Sequence, residues 1–298
     1  MSVSPPSTER PDGAPAGRPG PAIPLDPAAP AGLVSPARPG VRRRPPGLSL
    51  LVRLSVPAAV LVLWWWGAAS GFVDPAILST PPDVLNALRE LVATGQLVDF
   101  LAASFTRAAL GVAVGVTAGL VLGVAAGLSA LGEELVDPSM QIVRAVPFLA
   151  LVPLFISWFG VDETFKVVLI AVSAVAPMYA YTYLGVRGVD RKLVEAARDF
   201  GLRGPRLVAG VIIPTALPSI LMALRICMSV SLTGLIAAEQ IGTTAGIGYL
   251  VTLAQQYFRT DYMVLCILLY AVIGILIDLV IRLAERLLMP WRGQVTAR

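Results

Sequence analysis

Five stretches without a single charged side chain, 54–73, 108–132, 145–161, 167–186 and 262–277, decide most of what this 298-residue chain can fold into. Several match or exceed the ~20 residues that an α-helix needs to cross a hydrocarbon core of ~30 Å. Lipid offers the backbone no water, so each such run must satisfy its own amides, which a helix does. Charged residues make up 14% of the chain and hydrophobic ones 56%, where soluble domains carry roughly 25% and about 45–50%. The sequence therefore predicts an all-α, polytopic membrane protein with about six transmembrane helices. A water-soluble enzyme is excluded.

Absent residue types narrow the chemistry further. The chain has no histidine, which removes imidazole general bases and His-ligated zinc or haem. Cys227 and Cys266 stand in apolar runs without C-x-x-C spacing, as small buried hydrophobes do. No G-x-x-x-x-G-K-[ST] phosphate loop is present, so the chain cannot itself be an ATPase of that kind. A membrane enzyme would need clustered carboxylates or histidines at the interface, and no such cluster is seen. A self-contained secondary transporter or channel would carry inverted repeats with broken helices, and no convincing repeat is visible.

Residues 1–47 hold 13 of the 25 prolines and form a proline-rich tail too poor in apolar surface to order itself. Arg42, Arg43 and Arg44 precede the first apolar run, either as an anchor on anionic lipid or as a simple mark of topology. The first span, 49–71, ends near Trp64, Trp65 and Trp66, a sign of the headgroup level. Thr80-Pro81-Pro82-Asp83 then opens a short amphipathic helix that stops before Gly95, with Pro at the first helical positions.

The second span, 105–131, carries Gly111, Gly115, Gly119, Gly123 and Gly127 at a strict spacing of four. Such a row forms a groove that lets another helix backbone come close, within the chain or across a subunit seam. Further spans are expected at 145–161, 167–186, 218–238 and 262–282, with 207–217 at the cytosolic surface leading into the fifth, or as a seventh span if it crosses. Arg and Lys number 16 on the 38–53, 132–144 and 187–206 segments and the carboxyl tail, against 4 on the opposite loops. The positive-inside rule then puts both termini and the 187–206 loop in the cytoplasm. The net charge of +4 reflects this topology rather than an affinity for nucleic acid.

The 187–217 loop holds the most informative motif. Asp190 can cap a helix running to Phe200, and Gly201 can supply the left-handed residue that ends it. Gly204-Pro205 starts a second helix, which Pro214 should disturb. The expected product is a bent helix–turn–helix whose small residues, Ala196 and Ala197, leave one arm thin enough to seat in a groove of another protein. Glu195-Ala196-Ala197, Gly201, Val211, Ile213 and Pro214 resemble, in register, the EAA signature of ABC-importer permeases. That pattern reads Glu-Ala-Ala, three residues, Gly, nine residues, then Ile-x-Leu-Pro. Ser79-Thr80-Pro81-Pro82, Arg144-Ala145-Val146-Pro147, Trp158-Phe159-Gly160, Ala238-Glu239 and Gly246-Ile247-Gly248-Tyr249-Leu250 are similar to the sulfonate, taurine and nitrate branch of that family.

The resemblance implies a type I ABC-importer permease fold over 48–292, with a short tail at 293–298. It implies a second, identical permease copy, two ABC ATPase subunits gripping the 187–217 loop, and an extracytoplasmic solute-binding protein. ATP and Mg would be held by the ATPase, with no cofactor bound by this chain. The implied cargo is an aliphatic sulfonate or taurine, then a nitrate-like anion, then a neutral heterocyclic precursor such as one of thiamin. Within the spans, Arg225, Ser229, Thr233 and Glu239 are the candidate pathway residues. Arg225 could instead snorkel or pair with another buried group, and the hydroxyls could bond back to helix carbonyls. Glu239 is expected at the outer mouth, Arg107 at a flank of span two and Asp278 as an interfacial or inter-helix partner rather than a proton carrier.

Overall fold

The protein is described by a computed structural model over residues 46–71, 74 and 77–290. The chain divides into two units at Ser55/Val56. Of the first, only the opening turns of α1 (Pro46–Ala69) are described; everything below concerns the second. The proline-rich tail, Arg42–Arg44 and the 293–298 tail lie outside the described residues.

Helices follow in the order α2 (Pro81–Ala93), α3 (Gln96–Leu128), α4 (Ala130–Ala145), a 3-10 turn (Phe148–Leu151), α5 (Val152–Phe159) and α6 (Glu163–Arg187). After them come α7 (Arg191–Asp199), α8 (Gly204–Leu207), a π-turn (Val208–Ile212), α9 (Ile213–Glu239), α10 (Ile247–Gln256) and α11 (Thr260–Leu288). Among the described residues there is no strand. Four helical stretches are long and apolar enough to cross a membrane: α3, α6, the continuous run Gly204–Glu239, and α11.

Two expectations about the spans need correction. The third is not a straight helix over 145–161: α4 and the Phe148–Phe159 segment meet at 86° and make at most one broken span. Val146, which precedes Pro147, is extended at φ −84° and ψ 121°, because a proline ring crowds the helical conformation of the residue before it. Among the described residues four helices, or five with the broken pair, are long and apolar enough to cross a membrane, and the first expected span falls on α1 (Pro46–Ala69). In the second correction, 207–217 does not lie apart from span five. It forms the first turns of one 36-residue helix, and the disturbance expected from Pro214 takes the form of the π-turn just before it. A wider turn accommodates a residue that cannot donate to the ladder without ending the helix.

The glycine row packs within the chain. Gly111, Gly115, Gly119, Gly123 and Gly127 meet, in that order, Ile170, Ala171, Val175, Thr182 and Val186 of α6, so α3 and α6 run parallel with backbones nearly in contact. A Cβ on Gly119 would lie 2.6 Å from the Val175 carbonyl oxygen and 2.7 Å from the Met178 Cβ. Gly119→Ile should therefore force the helices apart and destabilise the protein by at least the ~1–3 kcal/mol typical of overpacking. Gly210→Ala, where a Cβ meets nothing within 4 Å, is the control expected to leave the melting temperature in detergent unchanged.

Around this pair, α9 packs on α6 and α11 on α9, while α2 and α10 close one end. There Val84, Ala87 and Leu91 join Ile247, Leu250, Leu265 and Cys266 in a buried cluster. The amphipathic helix expected after Thr80 is present, with the Asp83 carboxylate accepting from the Thr80 amide at 3.2 Å. Its outward side includes Leu85 and Val92, so the buried stripe is narrower than the apolar spacing suggests.

Candidate coupling loop and charge clusters

The 187–217 segment is built as its sequence demands. The Asp190 carboxylate accepts from the Lys192 amide at 2.9 Å and caps α7. At the other end Gly201 adopts φ +86°, while the Leu202 and Gly201 amides donate to Ala197 and Arg198 carbonyls at 3.0 and 2.9 Å. These two bonds close the helix in a Schellman turn, for which the left-handed residue is glycine because a Cβ there is strained. No atom lies within 4 Å of the position a Cβ would take, so conformation rather than space selects glycine.

One detail differs from expectation. Ala197 does not face outward beside Ala196; it is buried against Val186, Leu207, Ile212 and Ala216. Its small size lets α7 lie flat on the foot of α6 and the long α8–α9 helix. Glu195, Ala196 and Gly201 are exposed, Pro214 is half-buried, and Val211 packs at the edge of the same cluster. Ile213 is also half-buried. Phe200, which the sequence did not single out, is 88% exposed at the tip. Its only sequence signal is an apolar residue directly before the glycine that ends a charged helix. The elbow is thus rigidly seated on its own chain and offers Glu195, Ala196 and Phe200 outward.

At the opposite end of the helices lies a buried charge cluster. Arg107 donates to both oxygens of Glu163, from Nε at 2.6 Å and Nη2 at 2.8 Å. Its Nη1 reaches Glu239 Oε1 at 2.8 Å and the Ala245 carbonyl at 2.6 Å. Glu239 also accepts from the Ser104 hydroxyl at 2.7 Å and from the Gly248 amide at 2.9 Å. Lys166, itself buried, completes the set with a 2.8 Å bond to Glu163. Arg107, Lys166 and Glu239 are buried and Glu163 is 60% exposed, so two cations meet two carboxylates and each enclosed charge is paired.

This cluster overturns two expected placements. Arg107 is no flank, since α3 begins eleven residues earlier and buries it. Glu239 does not stand open at a mouth; its side chain is wholly enclosed. The Gly246-Ile247-Gly248 segment wraps it so closely that a Cβ on Gly246 would lie 2.5 Å from its carboxylate. The sequence cue Ala238-Glu239 followed by Gly-Ile-Gly therefore marks a carboxylate and the backbone folded over it.

Arg225 is neutralised rather than free. It pairs with Glu285 at 3.0 Å and Asp278 at 3.4 Å on α11, which makes Asp278 the inter-helix partner expected of it. Ser229 bonds back to the Arg225 carbonyl at 3.1 Å, and both Ser229 and Thr233 are exposed on α9. The side chains of Arg225, Asp278 and Glu285 are each about a third exposed. Solvent screening should accordingly hold the stability loss in Arg225→Ala to about 1 kcal/mol or less. A thermal melt checks this.

A further latch ties α4 to α6. The Tyr179 and Tyr183 hydroxyls donate to Asp137 at 2.9 Å and Glu133 at 2.5 Å, with the two rings stacked at 5.9 Å. Arg187, the last residue before the elbow, also pairs with Glu133. The broken span is thus fastened to the helix that leads into the loop. Among the described residues no group of three or more His, Cys, Asp or Glu side chains could hold a metal ion.

Comparison with known proteins agrees with this architecture. Residues 115–289 match the family model described as binding-protein-dependent transport system inner membrane component. SsuC of Escherichia coli (strain K12), named for aliphatic sulfonates transport, is 45% identical over 236 residues, covering 79% of this chain and 90% of SsuC. The taurine transport system permease protein TauC of the same organism is 36% identical over 255 residues, covering 83% and 93%. In fold, the chain is similar to a crystal structure of an amino acid ABC transporter (TM-score 0.55, 23% identity, 67% of this chain and 97% of that one). The EAA-like elbow, the glycine-seamed spans and these matches lead to one conclusion: the chain belongs to the family of binding-protein-dependent transport system inner membrane components, as a membrane-embedded ABC permease subunit rather than the ATPase.

Proposed function

We propose that this permease carries an aliphatic sulfonate or taurine into the cell, driven by ATP hydrolysed on a separate ABC ATPase. The 187–217 elbow is the contact for that subunit, which holds ATP and Mg. Two identical permease chains form the pathway between them, with both termini and the elbow in the cytoplasm. A solute-binding protein delivers cargo at the end where the Arg107–Glu239 cluster lies. ATP-driven closure of the ATPases moves the two elbows together. Because Ala197 seats each elbow on α6 and α9, that movement is passed to the spans.

The observation that carries this assignment is the capped, glycine-terminated elbow in a chain 45% identical to a permease named for aliphatic sulfonates. Substrate chemistry fits a pathway of neutral hydroxyls. Ser229 and Thr233 are exposed while Arg225 is already matched by two carboxylates. A sulfonate can then be passed on hydrogen bonds without being trapped by a free cation. The test is uptake of labelled taurine and ethanesulfonate by vesicles containing permease, ATPase and binding protein, with nitrate and a thiamin precursor as competitors. ATP-dependent uptake of a sulfonate, uncompeted by the other two, is expected. Uptake of the thiamin precursor alone would replace the substrate assignment.

A further inference from the structure

The turn between α10 and α11 is built against ordinary preference. Phe258 is the only non-glycine residue with positive φ among the described residues, at +55°. It occupies the left-handed position that closes α10, where the Arg259 amide donates to the Ala254 carbonyl at 2.9 Å. Glycine is the usual occupant of that position. The phenyl ring is not held there by burial, since Phe258 is 88% exposed and its neighbour Tyr257 is 72% exposed. An aromatic side chain thus stands exposed in a disfavoured backbone conformation, with neither cost offset among the described residues.

The surroundings hold this corner rigid. Arg259 bonds Asp261 at 2.7 Å and Glu90 at 3.3 Å, and its guanidinium lies 4.2 Å above the Tyr262 ring. The hydroxyls of Ser79 and Thr260 meet at 2.5 Å. Beside the corner opens a cleft of about 390 Å³ lined by Leu91, Phe100, Leu250, Ala254, Tyr257 and Tyr262. Exposed aromatics on a fixed frame beside an apolar cleft are the usual anchors of protein interfaces.

Charge indicates what covers them. The helix ends on this side carry Asp74, Asp83, Glu90, Asp99, Asp162 and Asp261, against Arg89 and Arg259, outside the balanced cluster of Arg107, Lys166, Glu163 and Glu239. The described residues of this face therefore bear a net charge of −4. An anionic lipid surface would be repelled. Gln255, Gln256 and Arg259 flank the ring, polar neighbours that suit water better than lipid.

We propose that the Tyr257–Phe258 corner is the wedge on which the solute-binding protein docks, entering an apolar recess rimmed by lysine and arginine side chains. It rests on the assignment of this end as the delivery face of a binding-protein-dependent family, and adds the residues and the sign of charge that make the contact.

The experiment uses full-length permease with its ATPase in proteoliposomes, titrated with the purified binding protein that supports transport. Phe258→Gly relieves the backbone and removes the ring, so it should fold at least as well as wild type. It should nonetheless need about ten-fold more binding protein for half-maximal uptake, the scale of a lost aromatic anchor, with the maximal rate retained. Phe258→Trp should stay within about two-fold of wild type. Raising salt from about 50 to 300 mM should weaken half-saturation several-fold, as screening of opposite charges requires. A benzophenone amino acid at 258 should cross-link to the binding protein. Unchanged half-saturation in Phe258→Gly, a loss confined to maximal rate, indifference to salt, or cross-linking to lipid alone would each overturn the proposal. Wild-type uptake that needs no binding protein would instead remove the delivery face itself, and is seen before any variant is made.

Discussion

Arg107→Met should be among the most damaging single substitutions in the chain, while Glu239→Gln in the same cluster should be mild. Among the described residues Arg107 is the only cation touching Glu239, whose side chain has no exposure to solvent. Without it, the carboxylate keeps the Ser104 hydroxyl and the Gly248 amide but stays charged and enclosed. Breaking a buried pair from one side costs about 3–5 kcal/mol, because the remaining charge is uncompensated. Glu239→Gln leaves Arg107 with two bonds to Glu163, whose side chain is 60% exposed, and with the Ala245 carbonyl. The one amide oxygen, placed where Oε2 lies, can still accept from Ser104 and Gly248, while the NH2 must turn from Arg107 Nη1, so a loss of about 1–3 kcal/mol is expected, below that of Arg107→Met. The double variant Arg107→Met/Glu239→Gln should recover most of the loss of Arg107→Met. Melting of the purified permease in one detergent, followed for the three variants, checks the order. Equal damage from both single changes would show that the cluster is not held as a buried pair.

The second large effect concerns energy coupling. Gly201→Val puts a β-branched side chain at φ +86°, a conformation that costs an ordinary residue about 1–2 kcal/mol and a branched one more. The strain lies in a turn that joins α7 to α8, not in the spans. The permease should therefore insert and melt nearly as wild type while the elbow changes shape. Uptake should fall at least ten-fold, with less ATPase bound to the permease after purification. Gly201→Asn, which tolerates the left-handed region, should restore most of the uptake. A merely structural role would instead lower the yield of permease and leave the bound ATPase in proportion.

Much of this elbow could be read from the sequence, because its parts are local. Asp190, Gly201 and the spacing between them are helix punctuation whose partners lie within a few residues. The glycine row was plain as a groove for another helix, but whether that helix belonged to the same chain came only from α6 filling it. The charge cluster was not readable. Glu163 and Glu239 lie 56 and 132 positions from Arg107, and each taken alone looks like the edge of an apolar run. Arg107 was misplaced because the charge-free stretch starts at 108, whereas the helix starts at Gln96. α4 was missed for a related reason: Glu133, Glu134, Asp137 and Pro138 interrupt its apolar pattern. Its partners, Tyr179 and Tyr183, sit in what looks like a plain hydrophobic span. The role of Ala197 was half legible, in that smallness was required but the surface requiring it belongs to the same chain.

Contact between the elbow and a nucleotide hydrolase is tested most directly at its exposed tip. Cys227 and Cys266 are buried, so a single cysteine at Phe200→Cys can carry a short thiol-reactive photo-cross-linker in the permease purified with its ATPase. A covalent permease–ATPase product is expected from position 200, and none from a cysteine placed at the exposed Thr233 position within the span. A permease that forms no such product at 200, yet still takes up substrate at the wild-type rate when ATP is hydrolysed, would contradict the coupling role of the elbow.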